Sequence, residues 1–361
     1  MKKIFYLFLC SALSLSCRKN NDPELPKLAE VTTKTIALDG DQNSSLMFQD
    51  NESPDVMTSD ARRYNIAHVL RVRAVDEKNI EISNFAPIDI ENATILATIS
   101  NGTDATNKQV VKLIKISKIR AHGKQTIKYP FMEGTVLYLD TNNKVTDLSQ
   151  YKGTGIDPAK ISFDFTGDNP IILKLKKLAV LKWDIQYHDY DPNNDVTNNW
   201  AEDITAKDIR RYTGLMINMG TVFISADFKT EFLNERIVAN DGTTVLTDAQ
   251  KLKTYNDILN HSFFQCGVVT NVSGLGGGST LGYANHVIRD YINVAGAGDV
   301  LSHEVGHCVG YGHSSNMTYP IKVNNVNTGI SPVTIRVMQK LFNEKMFPVT
   351  LENYYKPADL K

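Results

Sequence analysis

The sequence predicts an α+β protein in two parts. An N-terminal antiparallel β-sandwich is followed by an α/β catalytic unit with a mixed, twisted sheet and one helix that carries the chemistry. Three observations lead there. Short alternating apolar runs separated by turn clusters fill residues 61–174. From about residue 177, longer helical periodicities interleave with buried strands. The second part ends on His303-Glu304-Val305-Gly306-His307-Cys308-Val309-Gly310-Tyr311-Gly312-His313.

The chain has 361 residues, enough for two domains, and its net charge is −1. No basic field argues for nucleic acid or for sustained contact with a membrane surface. The expected segments are 1–16 as a signal peptide, 17–60 as a lipid-anchored tether, 61–176 as the sandwich and 177–361 as the catalytic domain. Lys2 and Lys3 precede a short apolar run over residues 4–15, too short to span a bilayer as a mature helix. Ser14-Leu15-Ser16-Cys17 then resembles a bacterial lipobox, with Cys17 as the lipidated residue, although Ser14 stands where leucine is usual. A plainly secreted protein cut nearby is the alternative. A polar, proline-bearing stretch follows and suits a tether, with an ill-defined first strand at 32–38.

Alternation predicts strands over residues 68–75, 80–82, 93–99, 110–119, 126–129, 135–139, 161–165 and 171–175. Nothing among them looks catalytic, and His122, beside Gly123, reads as a loop residue. The module is expected to pack or to space, with glycan binding as the second reading. Residues 178–187 fit a buried first strand of the second part. The acidic run Asp189-Tyr190-Asp191-Pro192-Asn193-Asn194-Asp195 has the look of a calcium (Ca2+) loop. It lacks the glycine and final glutamate of an EF-hand, so it reads as solvated. Residues 204–216 predict a helix capped by Asp203 or Thr205, 221–228 a strand, 248–259 a helix and 265–271 a strand. The glycine-rich run 274–282 is no phosphate loop, since it has no lysine. Residues 284–294 look strand-like, and His286 within them is not needed as a ligand. Asp299 is placed as N-cap of a helix over 300–309, and Ser331-Pro332 opens a last helix.

Residues four apart on a helix share a face, so His303 and His307 offer two imidazoles to one ion. Glu304 stands beside them, where a carboxylate takes a proton from an activated water. Gly310 suits the turn that closes the helix, after which the chain doubles back with His313. Three histidines and an open fourth position describe a catalytic zinc site, because structural sites are closed by four protein ligands. With 8 His and 22 Gly in the chain, a chance match to the five fixed positions is on the order of 10⁻⁵.

This HExxHxxGxxH pattern resembles the signature of the metzincin zinc peptidases. The resemblance covers residues 303–319 by motif and about 177–347 by the order of elements. It implies one catalytic zinc ion (Zn2+) on His303, His307 and His313, with Glu304 as general base. It also implies Met317 as the methionine of a turn beneath the metal, and Tyr319, two residues on, as a metal-reaching tyrosine that then stabilises the oxyanion. The spacing from His313 to Met317 is unusually short for the family. The glycine-rich run is also similar to that of mucin-cleaving members. Gly276, Gly277 and Gly278 are therefore expected on the rim of the cleft, next to a bulky or glycosylated peptide.

The resulting expectation is a monomeric zinc endopeptidase (a metalloprotease, hence a hydrolase) acting on extracellular proteins or glycoproteins. It would sit in a bacterial cell envelope, lipid-anchored to the outer membrane or cell surface, or be secreted. The rival is a surface-anchored adhesin with a vestigial zinc site, against which the retained Glu304 argues. A further rival is a structural zinc site closed by Tyr319 or Cys308. Cys266 and Cys308 remain after the leader and anchor, and the sequence leaves open whether they pair.

Overall fold

The computed structural model describes residues 34–38, 44–100, 108–190, 199–201 and 203–361. The leader, residues 17–33 (Cys17 among them) and 39–43 of the expected tether, and residues 191–195 of the acidic run lie outside the described residues.

The fold is α+β, with several sheets. Its N-terminal elements are β1 (Lys34–Leu38), β2 (Ser44–Leu46), α1 (Pro54–Thr58), β3 (Tyr64–Asn65), β4 (Leu70–Ala74), β5 (Asn79–Asn84), β6 (Ile90–Ser100), β7 (Lys108–Ile119), β8 (Gly123–Lys128), β9 (Leu137–Leu139), β10 (Val145–Asp147) and β11 (Ile161–Thr166). They build two four-stranded sheets, β1-β7-β6-β11 and β2-β8-β5-β4, and the small hairpin β9-β10. All pairs are antiparallel except β1 with β7, which run parallel. Ile80, Ile82, Ile95, Ala97, Ile99 and Leu113 are fully buried, at the period of two that the sequence shows.

Residues 34–60 do more than tether. β1 and β2 complete the two sheets, and Met47 and Phe48 are fully buried. Their polar neighbours hide this in the sequence. His122 is likewise no surface loop residue. It is fully buried in a left-handed turn (φ 53°), edge-on to Phe48 at 5.3 Å and to Tyr355 at 5.6 Å, and burial holds its pKa down to about 3.

The second half adds α2 (Pro170–Lys177), β12 (Asp184–Tyr187), α3 (Ala206–Phe223), α4 (Ala226–Asn234), α5 (Asp248–Leu259), β13 (Phe263–Val269), β14 (Gly274–Gly277), β15 (Thr280–Ala284), α6 (Asn285–Val294), α7 (Gly298–Cys308), β16 (Ile321–Val323), β17 (Val326–Thr328) and α8 (Ile330–Asn343). Its five-stranded sheet runs β14-β15-β13-β12-β3. β12, β13 and β15 are parallel, while β14 and β3 close the edges antiparallel. The halves are not separate. β3 leaves the N-terminal region to pair with β12, and buried apolar side chains of both halves form one cluster. Arg210, 1% exposed on α3, ties the chain ends together through Asp359 (2.6 and 2.9 Å) and Asp50 (2.7 Å).

Three expected strands are helical. Residues 171–175 lie in α2, where Pro170 holds the first position and Asn169 accepts from the Ile171 N–H at 2.8 Å. Residues 221–228 span the end of α3 and the start of α4, broken by the cap Ser225. Residues 285–294 form α6, whose buried Val287, Ile288, Tyr291 and Ile292 follow helical spacing. Short β-branched runs fit both periods, and flanking cap residues decide. The helix starts differ too. Ala297 (φ 57°), not Asp299, precedes α7, and Gly329 (φ 126°), not Ser331, precedes α8. Thr205 caps α3 as expected, in a capping box with Asp208. Among the described residues no helix is long and apolar enough to cross a membrane.

Candidate metal centre

α7 ends in a Schellman turn. The Gly310 N–H donates to the His307 carbonyl and the Tyr311 N–H to the Gly306 carbonyl, both at 3.0 Å, with Gly310 at φ 92°. This turn also sets a ligand. His307 Nδ1 lies 2.7 Å from the Tyr311 carbonyl, so that nitrogen carries the proton and Nε2 is left as a lone pair. His303 is held in the same manner, donating a ring N–H to the Thr318 backbone carbonyl. The two Nε2 atoms then face each other at 3.1 Å.

His313 completes the group, and the ligand atoms of all three histidines lie within 4.8 Å of one another. Two lone pairs at 3.1 Å repel unless a cation or a proton lies between them. Ligands of a tetrahedral zinc at 2.0–2.1 Å stand about 3.3 Å apart, so the spacing fits that ion. Burial, reinforced by His307 and His313, pushes His303 down to about 4, and burial also lowers His307. Both imidazoles are therefore neutral at pH 7, the form that binds metal.

Glu304 is 5% exposed, and its Oε1 is 4.0 Å from His303 Nε2. Burial raises its pKa to about 7. The edge strand β14 covers it. A Cβ on Gly274 would collide with Glu304 Oε1 and lie 2.6 Å from Cγ, and one on Gly276 would collide with the Glu304 carbonyl. These glycines let helix and strand approach closely. On the other side of α7, a Cβ on Gly306 would collide with the Met317 carbonyl, and Met317 itself is fully buried. Tyr319 is 56% exposed, with its ring centroid 4.4 Å from that of His303 and 5.0 Å from that of His313.

The segment from His313 to Met317 is held from outside by the loop before α5. Asn240 brackets the ligand turn, accepting from the Gly312 N–H at 2.8 Å and donating to the Gly310 carbonyl at 3.0 Å. Ser315 donates to the Val238 carbonyl at 2.6 Å, and Asn316 exchanges two bonds of 2.7 Å with Val238 and Arg236. These bonds add to the segment's own turn hydrogen bonds, in which the Ser315 N–H donates to the Gly312 carbonyl at 3.0 Å and the Thr318 hydroxyl to the Ser315 carbonyl at 2.8 Å.

The site opens into a cleft of about 700 Å³. Ser273, Gly274, Leu275 and Gly276 form one wall, and Tyr319 and Pro320 another. Of the three expected rim glycines, only Gly276 lines this cleft. Gly277 (φ 159°) and Gly278 (φ 55°) form the turn between β14 and β15 and face open space. Gly274 and Gly276 make room for α7. Cys266 and Cys308 are free and buried, and Cys308 Sγ sits 3.3 Å from the Thr280 carbonyl, among the sheet residues. His286 is exposed on α6, outside the cluster.

Sequence reasoning missed Tyr311, Thr318, Gly274 and Asn240. The first two act through backbone atoms, which residue type does not reveal. Asn240-Asp241-Gly242 was legible as a turn, but its contact with the ligand segment was not. Comparison with protein-family models, with curated proteins and with solved structures found no match to this chain.

Proposed function

We propose that this chain is a zinc endopeptidase of metzincin type, with its sandwich and catalytic halves fused through one core. The observation that carries the proposal is the pair of imidazole lone pairs 3.1 Å apart, each fixed by a backbone bond on its other nitrogen, beside a buried carboxylate. His303, His307 and His313 hold the ion. When bound, zinc supplies Lewis acidity, which acidifies a water and polarises a peptide carbonyl.

The residues of the chain do the rest. Glu304, desolvated and near neutrality in proton affinity, takes a proton from water and returns it to the leaving amine. Tyr319 presents its hydroxyl at the cleft mouth, where it stabilises the developing oxyanion. Met317 packs beneath the histidines as support. β14 is the sheet edge beside the cleft, and its unpaired backbone groups accept an extended peptide as an added strand. Cys308 is turned to the Thr280 carbonyl and does not close the fourth position. The substrate is an extracellular protein or glycoprotein, and Cys17 anchors the chain to the cell envelope.

Metal analysis of the purified protein, followed by cleavage of a peptide and glycoprotein panel with and without chelator, tests this. About one zinc per chain and chelator-sensitive hydrolysis are expected. A chain that binds no zinc, or binds it and cuts nothing, sinks the proposal in favour of a binding protein.

A further inference from the structure

The cleft contains one charged side chain that the reaction does not use. Asp299 lies in the first turn of α7, four residues before His303 and so on the same helix face. It is exposed and lines the cleft, and among the described residues its carboxylate makes no hydrogen bond or ion pair. Neither structural task usual for an acid there applies. It does not cap α7, which begins at Ala297 without a side-chain bond. It does not orient His303, whose second nitrogen is held by the Thr318 backbone.

Among the described residues no lysine or arginine lines the cleft to balance it. Beside it are Val300, half-buried, and Pro320, apolar surfaces along which a long aliphatic stem packs while its charged end reaches the carboxylate. Four residues of helix separate Asp299 from His303 by about 6 Å. An extended peptide advances about 3.3 Å per residue.

We propose that Asp299 is a specificity determinant that selects a lysine or arginine side chain about two residues from the bond that is cut. This rests on the endopeptidase reading above, and it narrows the substrate to peptides carrying a cation beside the scissile bond.

The test uses the zinc-loaded full chain and a peptide library in which each position around the cut is Lys, Arg, Gln or Glu. At one position, kcat/KM for Lys or Arg should exceed that for Gln by roughly tenfold. The ratio should fall toward one in Asp299→Asn and invert in favour of Glu in Asp299→Lys, at equal zinc content. A wild-type ratio near one, or a ratio unchanged in both variants, overturns the inference while leaving the peptidase reading intact. A zinc-loaded chain that cuts no member of the library removes both.

Discussion

Glu81 and Glu304 are buried to nearly the same degree, 4% and 5% exposed, yet burial acts on them in opposite company. Burial pushes both carboxyls up. At Glu81 the Lys124 ammonium (3.0 Å) and the Arg73 guanidinium (2.9 Å) outweigh it and hold the group near 2. At Glu304 nothing opposes it, and the pKa rises to about 7. Two glutamates of one chain thus shift in opposite directions according to their neighbours. The lesson is local: the sheet interior pairs its buried carboxylate with cations, while the carboxylate beneath β14 is buried with no lysine or arginine beside it among the described residues.

The sharpest way to break that contrast is to remove the carboxylate that lacks a partner. Glu304→Gln should lower peptide hydrolysis by about 10²–10⁴-fold, the contribution of a positioned general base. Zinc content should stay at the wild-type level, because the three imidazoles are untouched. Single-turnover kinetics with metal analysis reads both, and hydrolysis within tenfold of wild type would show that another group holds the proton.

A smaller effect tests how the carboxylate is held. Gly274→Ala places a methyl where Glu304 Oε1 now sits. The carboxylate must move, so kcat should fall by roughly tenfold or more with little change in KM or bound zinc. An unchanged kcat would mean that the close approach of β14 has no bearing on the base. Next comes the ligand turn. Asn240→Ala removes both bonds that hold the turn leading into His313. Outer-sphere partners of metal ligands carry about 10–100-fold in metal affinity, so zinc competition with a chromophoric chelator should show a loss toward the lower end of that range.

How far was this legible in the residues? The proximity of His303, His307 and His313 was, because i,i+4 spacing and a turn glycine dictate it through local geometry alone. The mixed sheet was legible as a class, since buried β-branched runs alternate with capped helices. The contacts that tune the site were not. The Asn240 loop meets His313 across some seventy residues of sequence, and the glycines of β14 acquire meaning only once α7 lies on them. Glycine in a rim and glycine under a helix look alike in a sequence. The run 285–294 was misread for a related reason: its apolar pattern over a few residues serves either period, and the left-handed Ala295 that ends α6 carries no residue-type signal.

The smallest expected effect lies on the other side of the comparison. Glu81 stands in β5, opposite Arg73 on β4 and Thr126 on β8. Arg71 joins it at 3.3 Å and Ser83 donates to it at 3.3 Å. Its folded pKa, near 2, is below its ordinary value of 4.5. The ion cluster therefore contributes stability that is fully present above pH 4.5 and is lost as the pH falls from there toward 2. Glu81→Gln keeps the shape and one acceptor but removes the charge. With Arg73 half-exposed and screened by water, the cost at pH 7 should be about 1–2 kcal/mol. The same variant should flatten the fall in stability between pH 4.5 and 2, because the group that takes up the proton on unfolding is gone. Urea titrations of both proteins across that range measure it. Parallel curves would mean that other carboxylates govern acid unfolding. In that case Glu81 and Glu304 would differ in chemistry without differing in what they do for the fold.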